Sequence, residues 1–215
     1  MLVRERMSTT PVTIVDGTPV TEALQLMRRR DVRRLPVLEP GTGRLVGIVS
    51  EKDLLYAAPS PATSLSIYEL HYALAQLKVT EVMTTDLITV APDVPLEEAA
   101  RIMADHKIGG LPVMEDDRLV GIITQTDIFK VFLELLGGRE KGIRLTIEIP
   151  ERKGEISRIT TAIAQLGGDI VALGTFLGDD PTTAVVTLKL KDQSIEVLQA
   201  TMDCLGLQIL DLREI

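Results

Sequence analysis

The sequence predicts an α+β protein: two copies of a βαββα unit forming a pseudo-two-fold module, then a βαββαβ domain. Three observations carry that prediction. The chain matches itself when Met7 is laid on Met83. Within each copy, apolar residues switch between helical spacing and the alternation of strands. Beyond Gly142 the repeat stops and a different alternation begins.

With Met7 on Met83, Thr13 meets Thr89, Pro19 meets Pro95 and Glu22-Ala23 meets Glu98-Ala99. Met27 then meets Met103, and Leu35-Pro36-Val37 meets Leu111-Pro112-Val113. Pro40-Gly41-Thr42-Gly43 stands against the shorter turn Asp116-Asp117, after which Arg44-Leu45-Val46-Gly47-Ile48 meets Arg118-Leu119-Val120-Gly121-Ile122. Such self-similarity marks a duplicated supersecondary unit.

Each unit opens with a short strand, residues 12–14 and 88–90. In the helix that follows, Val20, Ala23, Leu24 and Met27 fall at i, i+3, i+4 and i+7, and Leu96, Ala99, Ala100 and Met103 repeat the spacing, so each helix buries one face. A strand at 35–38, a polar turn and a strand at 45–49 follow. Ser50 or Thr124 comes next, and a second helix from Asp53 or Asp127 onward. One such unit leaves sheet and helix faces uncovered, and two packed together cover them. Between the copies, Pro59-Ser60-Pro61 and Thr63-Ser64 mark a loop. Residues 65–77 carry Leu70, Leu74 and Leu77 on one helical face.

Gly137-Gly138-Arg139-Glu140-Lys141-Gly142 reads as a domain boundary. After it, Leu145, Ile147 and Ile149 alternate as in a half-buried strand. Ile156, Ile159, Ile163 and Leu166 fit a helix ended by Gly167-Gly168. Residues 170–177 form a strand, Gly178-Asp179-Asp180-Pro181 a hairpin turn, and Val186, Leu188 and Leu190 the returning strand. Ile195, Leu198, Met202 and Leu205 form a second helix face, and 207–212 a last strand. This is a split βαβ order. The expected limits are 1–60 and 81–136 for the two units, 61–80 between them, 137–142 as linker and 143–215 for the last domain.

The totals exclude several functions. Aromatics are 3% of the 215 residues and Trp is absent, so the core is aliphatic and a stacking groove for single-stranded nucleic acid is not expected. A net charge of −8 argues against a general nucleic-acid or anionic-membrane binder. One Cys, Cys204, precludes an internal disulfide and suits a reducing cytoplasm. With two His, His71 and His106, no zinc site of the usual Cys/His kind can be assembled. The N-terminus has no apolar signal core and no run approaches a membrane span. A soluble cytoplasmic protein is expected.

The chemistry concentrates in two segments, Gly47-Ile48-Val49-Ser50-x-x-Asp53 and Gly121-Ile122-Ile123-Thr124-x-x-Asp127. A hydroxyl followed three residues later by a carboxylate is the signature of a helix capping box. The same geometry suits a nucleotide, because free N–H groups at a helix start attract phosphate and a carboxylate can accept from ribose hydroxyls. Recurrence at equivalent places favours nucleotide binding. The densest basic run is Arg28-Arg29-Arg30-Asp31-Val32-Arg33-Arg34. Arg28, Arg29 and Arg30 fit a helix C-terminus, whereas Arg33 and Arg34 directly precede Leu35-Pro36-Val37. The second copy has Gly109-Gly110 there, so the two clefts are expected to be unequal.

Through the Leu-Pro-Val strands and the two hydroxyl-x-x-Asp segments, residues 1–135 resemble a tandem pair of CBS domains, a Bateman module. The resemblance implies that Ser50, Asp53, Thr124 and Asp127 bind phosphate and ribose of an adenosine ligand, with Arg33, Arg34, Thr13 and Thr89 beside them. The ligand would be AMP, ADP, ATP or S-adenosylmethionine. The element order after Gly142 resembles a ferredoxin-like ACT domain. By that resemblance it dimerises and can bind an effector such as an amino acid near Lys153, Gly154 and Glu155. The combination, with Ala62-Thr63-Ser64-Leu65-Ser66-Ile67-Tyr68-Glu69-Leu70, resembles the bacterial acetoin-utilisation B family.

A regulatory ligand sensor is therefore expected, homodimeric and acting on an enzyme partner, with no required cofactor and no metal. The alternative is a non-enzymatic scaffold that recruits a partner without ligand control. A nucleotide-hydrolysing enzyme is disfavoured, because no P-loop lysine and no base with an orienting partner can be found. Cys204 has no His nearby in sequence to activate it.

Overall fold

The computed structural model describes residues 1–57 and 76–215. The expected helix at 65–77 therefore lies almost wholly outside the described residues, as does His71. The chain divides into two units, Met1–Ile128 and Phe129–Ile215. The division falls inside a helix, ahead of the glycine-rich stretch 137–142.

In the first unit, the first repeat consists of β1 (Ile14–Val15), α1 (Val20–Arg30), β2 (Arg34–Leu38), β3 (Leu45–Ser50) and α2 (Glu51–Tyr56). The strands lie in the order β1-β2-β3, with β1 parallel and β3 antiparallel to β2. The second repeat supplies α3 (Leu96–Asp105), β4 (Gly110–Glu115), β5 (Arg118–Thr124) and α4 (Gln125–Leu135). Its leading strand shrinks to one parallel bridge, Val90 to Val113, which repeats the Ile14–Val37 pair. Both hairpins shift register at the same place, after Val37 and after Val113.

The helices bury the predicted stripes. Val20, Ala23 and Met27 are buried on α1, and Leu96, Ala99 and Met103 on α3. Both helices end with a non-glycine residue in left-handed conformation, Asp31 (φ 52°) and Lys107 (φ 55°). The next N–H bonds back five residues, from Val32 to the Met27 carbonyl and from Ile108 to the Met103 carbonyl, each at 3.0 Å. That closure ends the helix and turns the chain into the following strand. One expectation needs correction. The helices after β3 and β5 begin at Glu51 and Gln125, not at Asp53 and Asp127, because each carboxylate caps the helix from inside its first turn.

The repeats exchange their leading segments. The Val3 N–H donates to the Val94 carbonyl, and its counterpart Val79 donates to Thr18, both at 2.9 Å. Ser8 forms a two-way bridge with Ile122, and Thr84 forms the matching one with Ile48. Val79, from the second repeat, is fully buried in the core built from α1, β2 and β3 of the first. Gly121 and Gly47 lack a Cβ where the side chains of Met7 and Met83 cross them. Each repeat is thus completed by the other's first residues.

The second unit contains β6 (Ile143–Pro150), α5 (Glu155–Gln165), β7 (Asp169–Leu177), β8 (Thr183–Lys191), α6 (Ile195–Cys204) and β9 (Gln208–Glu214). Its sheet order is β7-β8-β6-β9, antiparallel throughout. Leu145, Ile147, Val186, Leu188 and Leu190 form the sheet's share of the core, covered by Ile159, Ile163, Leu198 and Met202. The predicted α5 face is narrower than its spacing implied. Ile156 and Leu166, at the ends of the stripe, each expose 42% of their surface. The central pair alone is buried in the core.

Candidate functional site

The first repeat places Ser50 as the last residue of β3 and the N-cap of α2. Its backbone N–H and its hydroxyl both donate to Asp53 Oδ2, at 2.8 and 2.6 Å, and its Oγ accepts from the Asp53 N–H at 3.3 Å. The second repeat reproduces the two bonds to the carboxylate. The Thr124 N–H and hydroxyl donate to Asp127 Oδ2 at 3.0 and 2.7 Å. Each box is tied to the residue just before the first strand of its hairpin. The Glu51 N–H donates to the Arg33 carbonyl at 3.0 Å, and the Gln125 N–H to the Gly109 carbonyl at 3.1 Å.

A cleft of about 470 Å³ opens beside the first box. One wall is Ser50, Glu51, Lys52 and Asp53, with Arg33 and Arg34 next to it. The other wall belongs to the second repeat: Thr84, Asp86, Leu87 and Ile88, then the stretch 107–110 and Pro112. The exchange of leading segments brings residues 84–88 there, since Thr84 is fixed to Ile48 by backbone bonds of 2.9 and 3.0 Å. Proline keeps the second wall open. The Pro112 carbonyl accepts from the Val90 N–H at 3.1 Å. Lacking its own N–H, Pro112 cannot extend that ladder toward Ile88.

Arg34 crosses this cleft. A Cβ at Gly109 would collide with its guanidinium, lying 2.6 Å from Cζ, and a Cβ at Gly110 would lie 3.2 Å from its Cδ. Burial, and then the charge of Arg33, lower the Arg34 pKa, while Asp53 acts in the opposite direction. The guanidinium stays protonated, so the cleft holds a partly desolvated cation beside the Asp53 carboxylate.

Of the residues singled out in the sequence, Ser50, Asp53, Arg33 and Arg34 share this cleft. Thr124 and Asp127 stand at the equivalent place in the other repeat. Thr13 and Thr89 are not among the residues lining the cleft, and Thr89 is exposed between Ile88 and Val90. Lys52, Thr84, Asp86 and Lys107 line it without having been singled out. Repeat alignment carried a signal for one of them, since Lys107 replaces Asp31.

The CBS domain family profile matches residues 3–60 and 79–134, more than half of the chain. The chain belongs to the CBS-domain family. Among solved structures, a Vibrio cholerae protein provisionally assigned to acetoin utilization (AcuB) is 36% identical. The similarity covers 65% of this chain and 96% of that one, with a TM-score of 0.53. The CBS domain pair of MJ0100, solved with 5′-methylthioadenosine and S-adenosyl-L-methionine, is 29% identical over 65% of this chain and 98% of its own, with a TM-score of 0.52. CBSX2, solved with AMP, is 29% identical over 61% of this chain and 96% of its own, with a TM-score of 0.50. The CBS pair here therefore has solved counterparts that hold adenosyl compounds.

The second unit has a separate cleft of about 510 Å³ at the β6–α5 turn, lined by Arg152, Lys153, Gly154 and Glu155 with Ser157 and Thr175 among others. Gly154 adopts φ 93°, with nothing within 4 Å of the place a Cβ would take. Its backbone conformation, not crowding, calls for glycine. Glu155 is buried and committed. Arg152 Nε donates to its Oε1, and Arg158 Nη2 approaches its Oε2, both at 2.7 Å. The Arg152 bond, foremost, holds this carboxyl below its ordinary pKa, against the effect of desolvation and with help from Arg158. Among the described residues, no helix is long and apolar enough to cross a membrane.

Proposed function

We propose that this chain is a regulatory sensor whose CBS pair binds an adenine nucleotide or a related adenosyl ligand, and that it has no catalytic role of its own. The observation that carries this reading is the cleft itself. It gathers a hydroxyl, a carboxylate and two arginines from one repeat against a wall from the other. A ligand bound there touches both repeats. It changes their arrangement only as far as it binds one arrangement more tightly than another. Ser50 and Arg34 suit phosphate, and Asp53 suits ribose hydroxyls. Thr124 and Asp127 are assigned the matching role in the second repeat, with Thr13 and Thr89 flanking.

The unit after the linker fits an ACT-type regulatory domain, by its split βαβ order and its β7-β8-β6-β9 sheet. We assign it dimerisation and, at the Lys153–Gly154–Glu155 turn, binding of a small effector such as an amino acid. Any coupling between the two ligands is reciprocal in free energy. An enzyme partner, a cytoplasmic location, a role in acetoin utilisation and the domain limits given above belong to the same proposal.

Calorimetry with AMP, ADP, ATP, NADH and S-adenosylmethionine tests the reading. Saturable heat with at least one of them is expected, lost when both Asp53 and Asp127 are replaced by Ala. Silence with all five refutes it. One observation favours the scaffold alternative: both capping boxes are satisfied internally, so Asp53 and Asp127 have a structural role without a ligand. A melting temperature that no nucleotide moves, with partner capture equally indifferent, would decide for it.

A further inference from the structure

Arg34 lies where the two repeats meet on their own symmetry. In the repeat alignment Arg33 corresponds to Gly109 and Arg34 to Gly110. Arg34 packs against both glycines, its own counterpart included. A residue that touches its own counterpart sits on the pseudo-two-fold axis. Two such residues cannot both be large, and a single Cβ at Gly109 already collides with the guanidinium. The pair of repeats therefore has room for one arginine at its axis.

The remaining cations fall to one side. Besides the carboxylates Glu51 and Asp86, which Gln125 and Thr10 replace in the other repeat, the Ser50/Asp53 cleft contains Lys52 and Lys107. Their counterparts beside the Thr124/Asp127 box are Thr126 and Asp31. Asp31 and Lys107 occupy the same left-handed helix-end position, so the substitution reverses a charge at a fixed place in the backbone. Phosphate is favoured by the first arrangement and opposed by the second.

We propose that Arg34 is a single phosphate reader serving both repeats, so that the CBS pair accepts one phosphate-bearing nucleotide per chain, in the Ser50/Asp53 cleft. This rests on the nucleotide-sensing reading above and narrows it. Arg34 meets the phosphate as a planar, forked donor. With the axial guanidinium engaged there, the counterpart of Arg34 for the Thr124/Asp127 side is Gly110, which offers no charge, and Asp31 repels an anion. Gly109 is the complementary half of the device, since its missing side chain is what lets the arginine cross.

The experiment is titration calorimetry of the full chain with AMP and, separately, with uncharged 5′-methylthioadenosine. For the wild type, one AMP per chain is expected. Arg34→Ala should weaken AMP at least about tenfold, the scale of a lost hydrogen bond to a charged group. It should change 5′-methylthioadenosine less than about twofold. Gly109→Ala removes no charge and only displaces the guanidinium, so it should reproduce the selective loss of AMP. Far-ultraviolet circular dichroism checks that both variants are folded. Two AMP molecules bound with equal affinity, or a loss on Arg34→Ala that is the same for both compounds, overturns the proposal while leaving nucleotide sensing intact. A wild-type chain that binds neither compound also overturns the proposal, and nucleotide sensing falls with it only if ADP, ATP, NADH and S-adenosylmethionine are silent as well.

Discussion

Gly47 and Gly121 are repeat-equivalent, both buried in a strand, and both crossed by a methionine of the other repeat. An alanine at either site should nonetheless have different consequences. At Gly47 the three nearest atoms to a new Cβ all belong to the Met83 side chain, the farthest of them 3.3 Å away. That side chain is unbranched and can move. The cost is offset by the ~0.4–1 kcal/mol that Gly→Ala gains by restricting the unfolded chain. A net change within about 1 kcal/mol is expected. At Gly121 the Cβ would lie 2.6 Å from Met7 Sδ and 2.8 Å from the Ser8 carbonyl oxygen. The latter is backbone, and it accepts the Ile122 N–H at 3.0 Å while the Ser8 N–H donates back at 2.9 Å. Relieving the contact means moving that bridge. Overpacking costs about 1–3 kcal/mol, and two weakened backbone bonds add about 1 kcal/mol each at most. Gly121→Ala should therefore be about 2 kcal/mol more damaging than Gly47→Ala. The assay is urea unfolding followed by tyrosine fluorescence. All three tyrosines, Tyr56, Tyr68 and Tyr72, precede residue 129, so the signal reports the first unit alone. Equal losses, or a larger loss for Gly47→Ala, would refute the argument that one exchanged segment is held more rigidly than the other.

Replacing Ser50 or Thr124 by Ala removes an N-cap hydroxyl and should cost about 1 kcal/mol each in the same urea assay. Leu188 is fully buried at the centre of the second unit's sheet, and Leu188→Ala should cost about 2–5 kcal/mol, read by circular dichroism. The Glu155 carboxyl is held below its ordinary 4.5 in the folded protein, so its ionised form is favoured by folding. That stabilisation is complete above pH 4.5 and fades as the pH falls through the lower folded value. Acid titration of Glu155→Gln should show a shallower loss of stability in that window, and an unchanged acid limb would count against the two-arginine clamp.

The elements that could be read from the sequence were those fixed by local pattern. Leu35-Pro36-Val37 and Leu111-Pro112-Val113 announce buried strands because three neighbouring positions have no other reason to be apolar. Val20, Ala23 and Met27 announce a helix by spacing alone. The Ser50–Asp53 box was legible because both partners lie within one turn. What escaped depended on long-range geometry. No pattern around residue 84 says that it will line a cleft with residue 50, since the contact arises from the exchange of segments. Gly109-Gly110 was visible as a missing charge. It could not be seen as the seat of Arg34 until the repeats were placed face to face. The exposed Ile156 and Leu166 satisfy the helical period yet lie at the ends of the stripe, which spacing does not reveal.

The exchanged segments also constrain the protein's history. A single repeat alone would lack Val79 or its counterpart Val3 in its core, and would leave the backbone groups of Ile48 or Ile122 without their partners. It would need a second copy, reciprocally embraced, to fold. Such an ancestor is a symmetric dimer, and in a symmetric dimer every residue on the axis faces itself. An arginine at that place would confront an identical arginine. Joining the two copies into one chain replaced a concentration-dependent encounter with a tethered one. It also released the axis from identity, so that one side could keep the cation and the other become glycine.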